Sequence, residues 1–176
     1  DKDSAAYVVD IYQFELKELD LALSYARKYD AAGMSGMKER IGTVLFLQKK
    51  YAEAKSALLP CAEKDSVPCM SVLALVYYEE KDVVNSKKWA SKSAAKDQIA
   101  AINLMARISL YLEYDLATAK TWYQKSASKG DLEGMHSLGS TFALLDNDIK
   151  MACFWWGQTF LKGGAQQKAG TDTDTT

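Results

Sequence analysis

Leu116-Ala-Thr-Ala-Lys-Thr-Trp-Tyr-Gln-Lys-Ser-Ala-Ser-Lys-Gly-Asp131 decides how this chain folds, because the stretch recurs. Laid without a gap over Tyr51-Ala-Glu-Ala-Lys-Ser-Ala-Leu-Leu-Pro-Cys-Ala-Glu-Lys-Asp-Ser66, it matches Ala117, Ala119, Lys120, Ala127 and Lys129 to Ala52, Ala54, Lys55, Ala62 and Lys64. A third, shorter copy is Ser86-Lys-Lys-Trp-Ala-Ser-Lys-Ser-Ala-Ala-Lys-Asp97. The bulky marker returns as Trp89, Trp122 and Trp155, thirty-three positions apart, and steps of thirty-two lead back to Ala57 and Tyr25. A period of this length marks stacked repeats. Five of them cover nearly the whole chain.

Each repeat reads as two helices. In the second, Ala119, Trp122 and Ala127 fall on one helical face, the spacing of a buried stripe. The first carries a small residue among apolar ones, where a partner helix can approach closely: Gly42 after Ile41, Ala74 after Leu73, Ala106 after Met105, Gly139 after Leu138. Polar breaks separate the two helices at Gln48–Lys50, Glu79–Asp82, Glu113–Asp115 and Asp146–Asp148. Breaks between repeats fall at Asp30–Gly33, Lys64–Ser66, Lys96–Gln98 and Lys129–Asp131. Helix pairs this short cannot bury their faces alone, so an all-α solenoid is expected. One domain is expected over 1–164, with the polar segment 165–176 as a disordered tail. The apolar segment Ala5–Phe14 is expected to cap the solenoid or to form the first helix of repeat one.

Composition agrees with this class. The chain has 176 residues, two prolines and ten glycines, too few for a turn-dense β protein. Lys plus Arg is 22 and Asp plus Glu is 23, so the net charge of -1 gives no global electrostatic case for nucleic acid. No apolar run reaches the ~18 residues of a membrane span. The chain opens at Asp1 without an initiator Met or an apolar leader, as expected of a mature or trimmed form.

Three cysteines are present. Cys61 and Cys69 are near enough in sequence to bridge a helix–turn–helix corner, provided their Cα atoms come within ~7 Å. A disulfide there would imply an oxidising compartment, and two reduced, buried thiols a cytosolic one. Spacing alone leaves both open. Cys153, between Ala152 and Trp155, is expected to be a free thiol in a buried helix.

Ala119-Lys-Thr-Trp-Tyr-Gln-Lys-Ser-Ala-Ser-Lys-Gly-Asp131, Leu138-Gly139 and Ala152-Cys-Phe-Trp155 resemble the SEL-1-like repeat family, a branch of the tetratricopeptide superfamily. The pattern is specific in the fourth repeat, good in the fifth, degenerate in the third, where Asp97 stands for the usual glycine, and weak in the first two. The short loops within repeats lack the family's Gly-x-Gly-Val insertion, which brings the expected geometry closer to a plain tetratricopeptide unit. The resemblance implies a right-handed α/α solenoid of about five helix pairs. It also bears on the cysteines. Secreted, cysteine-rich bacterial members carry pairs with seven residues between them that staple the last turn of one repeat to the first helix of the next. Cys61 and Cys69 match that placement, which implies a disulfide that stabilises by ~2–3 kcal/mol.

Little else carries chemistry. His136, the one histidine, has Ser137, Ser140 and Asp146 near it in sequence, but helical spacing gives no nucleophile–base–acid arrangement. The carboxylate pairs Glu79/Glu80 and Asp146/Asp148 fall in polar breaks, where solvated charges or helix caps are the default. No phosphate-binding glycine loop, nucleophile elbow or zinc spacing occurs. Neither an enzyme nor a cofactor or metal is expected.

Function is therefore expected on a surface. Solenoids bind through the concave side, lined by the first helix of each pair. The positions expected to face inward are Glu39, Thr43 and Phe46; Ser71, Leu75 and Tyr78; Asn103, Arg107, Leu110 and Tyr111; and His136, Ser140 and Leu144. Aromatics and Arg among small polar residues are typical of interface cores. The family resemblance supplies the kind of partner. Similar proteins are encoded beside antibacterial type VI secretion effectors, notably phospholipase toxins acting in the periplasm. It implies a periplasmic immunity protein whose partner is a secreted toxin. The alternative is a secreted or periplasmic adaptor or virulence factor that engages host or envelope proteins.

Overall fold

A left-handed residue punctuates the chain every sixteen or seventeen positions: Lys17, Gly33, Lys49, Asp65, Lys81, Asp97, Tyr114, Gly130 and Asn147, all with φ between 49° and 80°. The computed structural model describes the backbone of residues 2–171 and the side chains of residues 4–163. Among the described residues there are ten α-helices and no strand. They are α1 (Lys2–Asp10), α2 (Leu19–Ala31), α3 (Met37–Leu47), α4 (Tyr51–Ala62), α5 (Val67–Glu79), α6 (Val83–Ala94), α7 (Ile99–Tyr111), α8 (Leu116–Ser128), α9 (Leu132–Leu145) and α10 (Ile149–Thr171). A π-helical turn, Ile11–Glu15, continues α1, so the apolar N-terminal segment forms the first helix of repeat one. Its Ala5 and Val9 are buried.

The left-handed residues end helices in a repeated way. Lys49 N donates to Phe46 O at 2.8 Å and Lys50 N to Leu45 O at 2.9 Å; Lys81 and Asp82 do the same to Tyr78 and Tyr77. This paired pattern satisfies the last carbonyls of a helix and needs positive φ at its pivot. Glycine fills that pivot at 33 and 130, whereas the others bear side chains. After many pivots an aspartate opens the next helix. Asp82, Asp115, Asp131 and Asp148 accept from the backbone N–H of Asn85, Thr118, Gly134 and Met151 at 2.7–3.0 Å. These acidic breaks are therefore helix caps.

The packing falls into two compact units, residues 1–96 and 97–176, and that boundary lies inside the stretch 1–164 expected as one domain. In the first unit α3 packs on α4, α4 on α5 and α5 on α6. The expected small residues make these approaches. A Cβ on Gly42 would lie 2.3 Å from Leu58 Cγ, and Ala74 O accepts a hydrogen bond from Ser86 Oγ at 2.9 Å. Cys61 and Cys69 form a disulfide, Cα–Cα 6.0 Å, tying the last turn of α4 to the first turn of α5. In the second unit α7 packs on α8, α8 on α9 and α9 on α10. Ala106, Ala119, Tyr123, Ala127 and Leu138 are its buried core, with Trp122 and Trp155 against them.

In each of the last three repeats a lysine near the end reaches back to the pivot that closes the repeat before: Lys96 to Asp65 in the first unit, Lys129 to Asp97 at 2.9 Å and Lys162 to Gly130 O at 2.5 Å in the second. Helix α10 runs to Thr171, seven residues into the 165–176 segment expected as a tail, and residues 172–176 lie outside those described. Cys153 corrects a second expectation. It is exposed, because one step along the helix from buried Ala152 turns the side chain about 100° away from the core.

Candidate functional site

The recess that gathers most of the expected positions lies within the second unit. Leu110 and Tyr111 of α7, Leu116 and Tyr123 of α8, and His136, Ser137, Ser140, Thr141 and Leu144 of α9 line a groove of about 240 Å³. Two glycines aim the α9 wall. A Cβ on Gly134 would lie 2.5 Å from Ser126 Cβ, and one on Gly139 2.7 Å from Trp156 Cδ1, so each lets α9 sit close against a neighbouring helix. With those sides of α9 committed to α8 and α10, positions 136, 140 and 144, one turn apart, are left to face the groove.

The groove is apolar with a few hydroxyls. Tyr123 forms the floor; burial is the main cause that pushes its phenol up to about 12, while a hydrogen bond with Ser137 pulls the other way. Thr141 Oγ1 donates to Ser137 O at 2.7 Å and Ser140 Oγ to His136 O at 3.2 Å, so these hydroxyls are tied to their own helix. His136 is exposed, and its ring lies 6.5 Å from that of Trp156, whose indole N–H donates to His136 O. Tyr111 and Leu144 stand at the rim, 58% and 78% exposed. Among the described residues no group of three or more His, Cys, Asp or Glu side chains is placed to hold a metal ion, and no helix is long and apolar enough to cross a membrane.

Five of the expected positions thus meet in this one groove: Leu110, Tyr111, His136, Ser140 and Leu144. Arg107, on the same helix as Leu110, is half-buried. Asn103 corrects the expectation. It is 4% exposed and donates from Nδ2 to Asp131 Oδ2 at 2.9 Å and Glu133 Oε2 at 3.1 Å, tying the start of α7 to that of α9.

In the first unit Ser71 and Tyr78 are likewise buried, because they sit on the side of α5 that packs inward. Ser71 Oγ bonds Ser93 Oγ of α6 at 2.7 Å, and the Lys81 ammonium lies over the Tyr78 ring. Neither offers a side chain to a partner. Leu75, Thr43, Phe46 and Glu39 are half-buried. The Phe46 ring leans on Tyr51, 6.0 Å between centroids, which makes it partly core. Glu39 lines a hollow of about 480 Å³ beside the disulfide, and burial raises its carboxyl above the usual range against the pull of Arg40.

Sequence reasoning missed Leu116, Tyr123, Ser137 and Thr141. The concave-face expectation rests on the first helices and on one stripe of α9, whereas the second helix α8 supplies the floor. The Trp122-Tyr123 pair held the signal, since two adjacent aromatics on one helix must face different neighbours.

No protein-family model matches the chain, and no curated protein matches it. Solved structures do. A Sel1 repeat protein from Oxalobacter formigenes is 21% identical with a TM-score of 0.67, over 93% of this chain and 70% of that one. MamA 41-end from Desulfovibrio magneticus RS-1 is 13% identical with a TM-score of 0.65, over 94% of this chain and 96% of that one. A MamA double mutant scores 0.67 at 12% identity, over 95% of this chain and 97% of that one. At such identities the likeness shows the fold, an all-α solenoid of helix pairs.

Proposed function

We propose that this chain is a non-catalytic protein-binding solenoid that grips a protein partner through the groove of its second unit. The reading is carried by one observation: five independently expected positions converge on a single recess with an apolar floor and two exposed apolar residues, Tyr111 and Leu144, at its rim. Buried apolar anchors ringed by polar groups dominate protein interfaces. The hydroxyls of the groove are held by backbone carbonyls, which favours a binding wall over a reacting group. We further propose that the partner is a secreted toxin, of the phospholipase type delivered by type VI secretion, and that this chain is the periplasmic immunity protein that neutralises it. The disulfide supports an oxidising compartment.

The test is co-purification and calorimetry against the toxin encoded beside the gene. Tyr111→Ala and Leu144→Ala are expected to weaken binding by about 1–2 kcal/mol each, while Val84→Ala on α6 leaves it unchanged. No binding to the neighbouring toxin, with no protection on co-expression, sinks the immunity reading. Tight binding untouched by Tyr111→Ala and Leu144→Ala sinks the groove.

A further inference from the structure

Helix α10 carries an apolar face left largely open by the described residues of its unit. Between Lys150 and Lys162 it has no charged residue. Phe154, Phe160 and Leu161 are 51%, 81% and 66% exposed, and Trp156, which rests on Gly139 and His136 of α9, keeps 38% exposed at the edge of the face. The repeat register shows how unusual this is. Thirty-three positions earlier, Tyr123 and Ala127 hold the places of Trp156 and Phe160, and both are buried in a cluster with Leu138 of α9. One and two copies further back, Ala94 and Ala62 are buried too. Small residues at that place let the next helix approach, whereas Phe160 props it away.

Gly157 is the second observation. A Cβ built on it meets nothing within 4 Å, so no contact among the described residues requires a glycine there. Glycine within a helix is less favourable than alanine, and its usual reason is the close approach of another backbone. Its four nearest neighbours on the helix surface, three and four positions away, are Cys153, Phe154, Phe160 and Leu161, all exposed.

We propose that a second copy of this chain covers the face, with α10 crossing its twin antiparallel at Gly157. Two features point to self-association. A phenylalanine stands three positions to either side of Gly157, so a twofold axis at the glycine sets Phe154 of one copy against Phe160 of the other, with Cys153 against Leu161 beside them; such self-complementarity suits an isologous contact. The face is also uncharged, so copies meet without repulsion. At roughly 200 Å² for a fully exposed aromatic, the four large residues offer about 450 Å² per copy. Two copies then bury about 900 Å² from these residues alone, close to the ~1,000 Å² of a small stable interface before the flanking turns are added.

Sedimentation equilibrium of the full chain in a Cys153→Ser background tests this. The expected mass is twice 19.5 kDa at micromolar concentrations. Gly157→Leu, which improves helix propensity, and Phe160→Glu, at an open position, should each weaken dimerisation about tenfold or more with unchanged circular dichroism. Val84→Glu, on exposed α6, should not. Gly157→Cys in the same background should cross-link two copies on mild oxidation. A monomer up to several hundred micromolar, a dimer indifferent to both face variants, or a dimer that fails to cross-link at 157 overturns the proposal.

Discussion

The Lys55 ammonium sits 2.7 Å from Glu80 Oε2, with the Tyr77 ring 5.4 Å from it. Lys120, its counterpart in the aligned segments, pairs with Asp146 over the Phe142 ring. Each lysine joins a second helix to the end of the following first helix, so one contact is written twice, two repeats apart. Both lysines are mostly covered, 27% and 21% exposed. A double-mutant cycle with Lys55→Ala and Glu80→Ala should show coupling of about 0.5–1 kcal/mol in urea unfolding, shrinking in high salt. Zero coupling at low salt would mean that the pair is incidental.

Gly134→Ala should destabilise by about 1–3 kcal/mol, because the added methyl meets the Ala127 backbone N at 2.8 Å as well as Ser126. Backbone cannot swing aside as a side-chain tip can. Thermal unfolding of the variant measures it, and an unchanged midpoint would show that α9 can shift on α8 without cost.

Tyr114 is a bulky residue at a left-handed pivot, φ 57°, and is 80% exposed. Left-handed backbone costs about 1–2 kcal/mol outside glycine, partly offset by the roughly 0.5–1 kcal/mol of chain entropy that glycine forfeits. Tyr114→Gly should therefore stabilise by up to about 1 kcal/mol in denaturant titration. A loss would mean that the tyrosine ring contributes more than its backbone costs.

Thiol counting under native conditions should find one reactive cysteine, Cys153, and three after reduction and unfolding. Cys61→Ser with Cys69→Ser should lower stability by about 2–3 kcal/mol, as for a short closed loop. Three thiols without reductant would remove the argument for an oxidising compartment.

The carboxyls of Asp82 and Asp97 sit below the usual carboxylate range, the first held by hydrogen bonds from Asn85, the second by its bond to Lys129. A depressed carboxyl contributes stability above its unfolded value, near pH ~4, and loses it as pH falls through the folded one. Acid titration of Asp82→Asn and Asp97→Asn should flatten that loss relative to the parent chain. Tyr123 has the opposite sign: raised to about 12, its contribution is full below pH ~10 and disappears on going to 12, so Tyr123→Phe should remove that alkaline segment.

The repeat was legible because its markers are chemical. Trp89, Trp122 and Trp155 must be buried or half-covered wherever they fall, and the small residues Gly42, Ala74, Ala106 and Gly139 have little reason to recur except close packing. The face of each first helix was harder to read. In α5, Ser71 and Tyr78 look like surface polar residues, yet Ser71 finds Ser93 on a helix that sequence alone cannot rotate into place. A register error of one residue turns a helical side chain by about 100°, enough to exchange wall for core, and Cys153 was misread for that reason. The pivots were half visible: Gly33 and Gly130 announce themselves, whereas Lys49, Lys81 and Tyr114 adopt the same backbone without any sequence mark.

Those pivots carry a consequence for how such a gene can change. Removing thirty-two or thirty-three codons from one pivot to its equivalent returns every later helix to its original place in its pair. Removing sixteen preserves all the caps and turns yet makes each first helix a second one, so residues chosen for burial and for display trade roles. The caps alone cannot detect that exchange. Length in this architecture can therefore vary in whole repeats, while half a repeat yields a chain whose local signals are intact and whose packing is inverted.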